Sequence, residues 1–241
     1  LVIAAEGRNS PLRAQARVPV TTIPYRQTGV VTAIAHEHPH GNVALEHFLP
    51  AGPFAQLPMS AGADTGAPHI SAIVWTERTA VARRMLALDD AALGRQIARR
   101  LGDHLGAVRP IGRRWSYPLS AMLVHRYTDT RLALAGDAAH GIHPIAGQGL
   151  NLGFRDAIAL ADLITEAHAR GEDVGAPALL ARYQRRRRPD NVLMLAATHG
   201  LERLFSNDLP PVRLARDFGI AAVGRAGPLK RAFMRQAMGL T

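Results

Sequence analysis

"RLALAGDAAHGIHPIAGQGLNLGFRDAIALADLI", residues 131–164, is the stretch that decides the fold. It opens as a short apolar strand over 131–135 and closes as a helix from about Gly149 to Ala169, ended by Gly171. Between them lie Gly136, Asp137, His140, Gly141, His143, Pro144, Gly147 and Gly149. A strand that turns straight into a helix exposes the first backbone N–H groups of that helix. Gly147 and Gly149 carry no Cβ, so the backbone there can approach a ligand closely. The helix dipole favours an electron-rich group at the same place. Asp137 stands at the mouth of the turn, and a carboxylate only accepts hydrogen bonds, so it suits a hydroxylated ligand and repels a phosphate.

Working outward, "LVIAA" at residues 1–5 reads as a buried strand that runs into a turn at Glu6-Gly7. From about Gly29 to Arg126 the texture changes to short strands, expected over 29–35, 43–49, 54–59, 70–76, 111–118 and 121–126. One helical insert interrupts them: Leu93, Ile97, Leu101 and Leu105 recur every four residues behind Asp89, a suitable N-cap. The middle block is thus expected to be a largely antiparallel sheet with helix on one side. After Gly171, Pro177 should open a further helix with Leu179, Leu180 and Tyr183 inward, Pro189 should kink or break it, and another helix should run from Asn191 to Phe205.

Composition narrows the chemistry. The chain of 241 residues is 47% hydrophobic and 20% charged, which is ordinary for a globular protein. It has no cysteine, which removes disulfides, thiolate metal sites and cysteine nucleophiles. The net charge of +10 comes from 28 arginines and one lysine, Lys230, and residues 183–241 hold +7 of it. Aromatic residues make up only 5%, with no stacking platform, so nucleic acid is not expected as a partner. No G-x-S-x-G elbow accompanies Ser10, which argues against a serine hydrolase. In "HEHPH", Pro39 and Gly41-Asn42 predict a turn that splits His36, His38 and His40, so no metal site is expected. His140 and His143 read as braces of the turn, Trp75 and Trp115 as core, and "RRRR", Arg185 to Arg188, as a solvated face.

FAD meets both demands of the glycine turn: its ribityl hydroxyls can donate to Asp137, and its ring can lie over the N–H groups near Gln148 to Asn151. At these residues the sequence resembles a known family. "GDAAHGIHPIAGQGLNLG" is similar to the second FAD-binding motif of the class A flavoprotein monooxygenases, the para-hydroxybenzoate hydroxylase fold. "AAEGRNSPLR" resembles their other internal motif, with Glu6 where Asp is usual. "EHFLPAGPFAQLPM" and "SAIVWTER" look most like the ubiquinone-biosynthesis hydroxylases of that family.

The resemblance implies an α/β fold (α+β overall): part of a Rossmann-like FAD-binding domain, an inserted mixed or antiparallel sheet domain, and C-terminal helices. Residues 1–20 and 129–172 would belong to the FAD-binding domain, 21–128 to the substrate domain, and 173–241 to the C-terminal helices. It implies FAD contacts at Glu6, Gly7, Arg13, Gly136, Asp137, Gly147, Gln148, Gly149, Leu150 and Asn151, and the backbone of Pro144 beside the substrate ring. It implies NAD(P)H as a transient reductant, O₂ as co-substrate and a polyprenylated phenol as substrate, its tail against the middle sheet. Another flavin enzyme on this scaffold, a halogenase or a prenyl reductase, is the alternative, although the halogenase W-x-W pattern is missing. The other is a non-catalytic remnant that only docks to membrane or partners.

The family also opens with a GxGxxG unit that binds the ADP half of FAD, and no GxGxxG occurs here. The chain is therefore expected to be a C-terminal fragment that holds FAD weakly. It should leave strand 1–5 and helix 149–169 uncovered, and self-associate through them. The expected location is the cytoplasm. The basic C-terminal region, 209–241, is suited to the inner face of a membrane or to partners in a biosynthetic complex.

Overall fold

In the computed structural model, residues 1–60, 66–206, 219, 223 and 225–238 are described. The elements in chain order are β1 (Val2–Ala4), α1 (Pro11–Gln15), β2 (Val20–His36), β3 (Leu45–Leu49), β4 (Gly52–Met59) and β5 (His69–Arg78). They continue as α2 (Thr79–Leu86), α3 (Asp90–Leu101), β6 (Val108–Val124), β7 (Thr128–Asp129), β8 (Leu132–Leu134) and β9 (His140–Gly141). Then come α4 (Gly149–Ala169), α5 (Pro177–Phe205) and α6 (Gly227–Met238). Short 3₁₀ turns occupy Gly136–Ala138 and Pro144–Ala146. One sheet has the order β1-β8-β7 and the other β3-β4-β5-β2-β6-β9, so the fold is mixed α/β with an antiparallel middle sheet, as expected.

The chain divides into two compact units, one made of residues 1–24, 120–204 and 210–241, the other of 25–119 and 205–209. In the first, β1 and β8 pair in parallel, Ile3 opposite Ala133, and the core covers one face of the pair while Val2 and Ile3 of β1 stay exposed. Leu160 and Leu163 of α4 and Leu179, Leu180 and Tyr183 of α5 pack with Ala4, Leu132 and Leu134 in one core. The Tyr183 hydroxyl donates to the Leu134 carbonyl at 2.8 Å, which satisfies the one polar atom of a fully buried ring.

In the second unit, Ile34, Phe54, Ile73 and Trp75 of the sheet meet Met85, Leu93, Ile97, Leu101 and Leu105. The four-residue spacing of the last four therefore marks the buried stripe of α3 and its exit. Asp89 caps α3 by accepting the Ala92 N–H at 2.6 Å, an interaction worth about 1 kcal/mol. Opposite this core, the sheet carries rows of small and apolar residues that share one face by register: Leu57–Ala72–Ala33 and Ala55–Val74–Val31.

Several expectations are corrected. The strands expected over 111–118 and 121–126 are one strand, β6. β9 pairs only with Met122 and Leu123, so Pro118 lies where β6 is an edge, and a proline is tolerated there. Pro189 does not break α5, which runs on to Phe205 in place of two helices. Pro189 and Arg185, the residue one turn before it, are both exposed, so the proline falls on a face of α5 that is open to water. Trp115 is not core: it is 55% exposed, with the Arg113 guanidinium 4.2 Å over its ring. Trp75 is buried, with Arg100 over its ring. The helix α2 had no expected counterpart. Of the C-terminal segment 209–241, much lies outside the described residues.

The side of β1 and α4 away from the core is apolar and open. Ile3, Leu150, Phe154 and Ile164 help to line a trough of about 590 Å³, and Phe154 and Ile158 are each 58% exposed on successive turns of α4. Apolar surface of this kind favours association. The isolated chain is expected to self-associate, its light-scattering mass rising with concentration, whereas Phe154→Gln with Ile158→Gln should hold it as a monomer. A chain that stays monomeric without these changes overturns the expectation.

Candidate functional site

The site grows from the end of β8. Ala135 is still extended, Gly136 turns with φ of +57°, and Asp137 follows in the 3₁₀ turn. The Gly136 conformation is left-handed, which favours glycine. A Cβ built on Gly153 of α4 would lie 3.6 Å from the Gly136 Cα, so turn and helix pack backbone to backbone. The Asp137 side chain is half exposed, and Arg8 lies near it, Nε to Oδ2 at 3.4 Å. Arg8 also donates to the Ser120 carbonyl and hydroxyl, both at 2.8 Å.

The second half of the turn prepares a helix N-terminus. Pro144–Ala146 forms a 3₁₀ turn, the Pro144 carbonyl accepts the Gly147 N–H at 2.9 Å, and Gly147 adopts φ of +61°. Gln148 then stands at the N-cap of α4 with no side-chain capping bond, and no acidic residue occupies the first turn. Asn151 ties back to Gln148, Nδ2 to Oε1 at 3.2 Å, while Leu150 is 69% exposed. A Cβ on Gly7, Gly147 or Gly149 would meet nothing within 4 Å. The approach to the start of α4 is therefore clear beside Gly147 and Gly149, and among the described residues Gln148 adds no side-chain cap to it. These features fit a flavin: an uncapped positive helix end, clearance without Cβ atoms, and a half-exposed acceptor at Asp137.

The upstream motif packs into the same unit. Glu6 accepts the Ser10 hydroxyl at 2.9 Å and the Leu12 N–H at 3.0 Å, while Ser10 caps α1 by accepting the Arg13 N–H. Slight burial pulls the Glu6 pKa up, but backbone hydrogen bonds and the Ser10 hydroxyl outweigh it and hold the carboxyl below its usual range. Arg13 donates to the Ala138 carbonyl at 2.8 Å and the Arg8 carbonyl at 2.5 Å. Arg13 thus stitches the turn around Glu6 and Gly7 to the turn around Asp137. The structure brings all the expected site residues into one unit, with Glu6 and Arg13 engaged in holding backbone.

Two residues escaped the sequence reading. Arg8 and Asp137 are 129 positions apart, and no local pattern pairs them. Asp156, 0% exposed, had a visible signal: it follows Leu152 by one turn and precedes Ala159, Leu160 and Leu163 on the buried stripe of α4. A carboxylate there requires donors, and Arg187 supplies one at 2.8 Å. That corrects the reading of "RRRR": Arg187 is buried, while Arg185 and Arg186 are exposed. His140 does brace the turn, through Asp156 at 2.6 Å. Among the described residues no group of three metal-ligating side chains could hold an ion, and the His36 ring is engaged by the His38 carbonyl and Ser71.

His143 is fully buried, with Nδ1 accepting the Ile145 N–H at 3.2 Å. Burial, helped by His199, pushes its pKa down from 6.5 to about 4. The unfolded chain therefore takes up a proton that the folded chain refuses as pH falls through this window. The stability contribution is full above about pH 6.5 and lost towards pH 4, by at most roughly 3 kcal/mol. Asparagine at this position keeps an acceptor for Ile145 and does not titrate. His143→Asn is expected to flatten the fall in melting midpoint between pH 6.5 and 4, measured by differential scanning fluorimetry.

Comparison with known proteins shows the family. Residues 1–197 match the family model described as "FAD binding domain". The chain is 54% identical over 239 residues to the ubiquinone hydroxylase UbiL of Rhodospirillum rubrum, covering 99% of this chain and 54% of that protein. It is 38% identical over 240 residues to the 3-demethoxyubiquinol 3-hydroxylase of Escherichia coli, covering 100% of this chain and 59% of that protein. The chain thus spans somewhat more than half the length of these relatives. Among solved structures, PqsL of Pseudomonas aeruginosa, described as a probable FAD-dependent monooxygenase, superposes with a TM-score of 0.70 at 26% identity, covering 86% of this chain and 56% of that one. The p-nitrophenol 4-monooxygenase PnpA of Pseudomonas putida shares the fold, with a TM-score of 0.74 at 20% identity over 98% of this chain and 57% of that one. The glycine turn, the uncapped helix behind it and the match over residues 1–197 lead to one conclusion: the chain belongs to the FAD-binding family of the class A flavoprotein monooxygenases.

Proposed function

We propose that the whole protein is an FAD-dependent monooxygenase that hydroxylates the ring of a polyprenylated phenol in ubiquinone biosynthesis. NAD(P)H is the reductant and O₂ the co-substrate. The observation that carries this reading is the 54% identity to a ubiquinone hydroxylase along 99% of the chain, which includes the whole glycine turn. When bound, FAD supplies the oxygen-activating chemistry. This chain's residues bind and orient. Asp137 accepts ribityl hydroxyls, and the N–H groups over Gln148, Gly149, Leu150 and Asn151 stabilise the electron-rich edge of the ring. Gly7, Gly147 and Gly149 give clearance, Gly136 turns the backbone into Asp137, and Glu6 and Arg13 hold the surrounding backbone. The backbone at Pro144 lies beside the substrate ring.

The unit containing residues 25–119 is proposed to bind substrate. Its sheet face of Val31, Ala33, Ala55, Leu57, Ala72 and Val74 carries no charge and suits a prenyl tail, which gains roughly 25 cal/mol per Å² of apolar surface removed from water. Such a substrate comes from a bilayer or a carrier. Among the described residues no helix is long and apolar enough to cross a membrane. On α6, Lys230, Arg231 and Arg235 are exposed beside Met234, a combination suited to an anionic surface.

Two outcomes are expected for the full-length protein. Asp137→Ala removes charge-assisted bonds worth about 1.5–3 kcal/mol each, so FAD affinity should fall at least ~10-fold in a fluorescence titration. Unchanged affinity removes Asp137 from the flavin site. In co-sedimentation with vesicles, Arg225, Lys230, Arg231 and Arg235 changed together to Gln should abolish salt-sensitive binding to anionic lipid. Binding that ignores both the changes and added salt contradicts the electrostatic account.

A further inference from the structure

A group of polar side chains sits wholly inside the first unit, behind the turn and away from its open side. Asp156, His140 and Asn191 are at most 1% exposed, and Arg187 is 6% exposed. Asp156 Oδ2 accepts the Gly136 N–H at 3.0 Å and the His140 Nε2–H at 2.6 Å. Its Oδ1 accepts from Arg187 Nε at 2.8 Å and Asn191 Nδ2 at 3.2 Å. One carboxylate therefore takes four donors, two from the turn and two from α5. Arg187 spends its remaining nitrogens on Asp190 at 2.7 Å and the side-chain Oδ1 of Asn191 at 3.1 Å, and Asn191 Nδ2 also donates to the Tyr127 hydroxyl at 3.1 Å.

Burying one acid and one base in this way is costly unless every lone pair and proton is used, and hydrophobic packing would stabilise the same contact at least as well. The arrangement is better suited to geometry than to stability. Asp156 grips the amide of Gly136, the residue immediately before Asp137, at the point where the backbone turns with φ of +57°. It grips the His140 ring three residues after Asp137. The short segment that carries Asp137 is thus clamped at both ends by a single carboxylate.

We propose that Asp156, held in place by Arg187, is a positioning residue for the flavin site: it clamps Gly136 and His140 and so sets the direction in which Asp137 presents its carboxylate. The inference rests on the reading of Asp137 as a flavin contact. It assigns to α5, and to one arginine within a run of four, a share in cofactor affinity. Arginine is required at 187 because its planar fork reaches Asp156, Asp190 and Asn191 at once, and a lysine ammonium cannot span the three. At 156, asparagine keeps the shape but replaces one acceptor oxygen with an NH₂ group, which must face a donor whichever way the amide is turned.

The test uses the full-length protein, comparing Asp156→Asn, Arg187→Lys, Asp137→Ala and the doubles Asp137→Ala/Asp156→Asn and Asp137→Ala/Arg187→Lys. Arg186→Gln, which breaks the exposed pair of Arg186 with Asp162, serves as control. FAD affinity is read by fluorescence titration, the flavin absorption band by spectroscopy, and the melting midpoint on the FAD-free protein. Asp156→Asn and Arg187→Lys are each expected to weaken FAD binding about tenfold and to shift the flavin band, while Arg186→Gln does neither. Because the clamp acts through Asp137, each double should bind FAD no more weakly than Asp137→Ala alone. Losses that multiply in the doubles, or that follow the melting midpoint with no change in the flavin band, overturn the proposal. If Asp156→Asn does not fold, Arg187→Lys carries the same comparison. If Asp137→Ala alone leaves FAD affinity unchanged, it is the flavin reading of Asp137 that fails, and the clamp has no contact to position.

Discussion

A carboxylate taken out of water must be met by donors or it is not ionised, and Asp156 is met from every side. Burial raises its pKa, but the hydrogen bonds from His140 and Arg187 and the Gly136 N–H outweigh burial and hold the group below its usual range. The consequences reach through the first unit. The end of β8 is fixed to α4 at Gly136, β9 is fixed at His140, and α5 is fixed at one turn by Arg187 and Asn191. Remove the charge and three elements lose their common anchor at once.

The open side of the turn depends on that closed side. An uncapped helix end is a weak attractor by itself, worth about 0.3–1 kcal/mol at an exposed site. It becomes a binding surface when the amides are held in fixed directions and nothing of the chain's own fills the space before them. Here Gln148 makes no side-chain capping bond, and among the described residues a Cβ on Gly147 or Gly149 would meet nothing within 4 Å. The division of labour is spatial, with ionic groups behind the turn, amides and glycines in front, and Arg8 and Arg13 binding the Glu6 turn alongside.

What could be read in the sequence follows from how local the cause is. The bounds of α4, the cap at Asp89 and the inward face of α3 rest on neighbours within a few positions, and the structure has them as expected. The glycine turn is equally local, and its shape follows from residues that tolerate positive φ. What was not legible depends on partners far along the chain. Arg187 is chemically identical to its three neighbours in "RRRR", and only the buried Asp156, 31 positions earlier, singles it out. Trp115 has the composition of a core residue, but nothing local says that its stretch of β6 faces water. Pro189 would break a helix whose freed carbonyl was buried, and exposure is a property of the folded molecule.

The arginine-rich make-up has a practical side. With no cysteine and a single lysine, the chain offers few handles to the usual conjugation reagents. Lys230 is exposed on α6, among the residues proposed to meet lipid. With the terminal amine blocked, an amine-directed dye would report from α6 alone, and a lysine-specific protease would cut the chain at this one bond. The same scarcity that hides the molecule from thiol chemistry makes its C-terminal helix addressable without engineering.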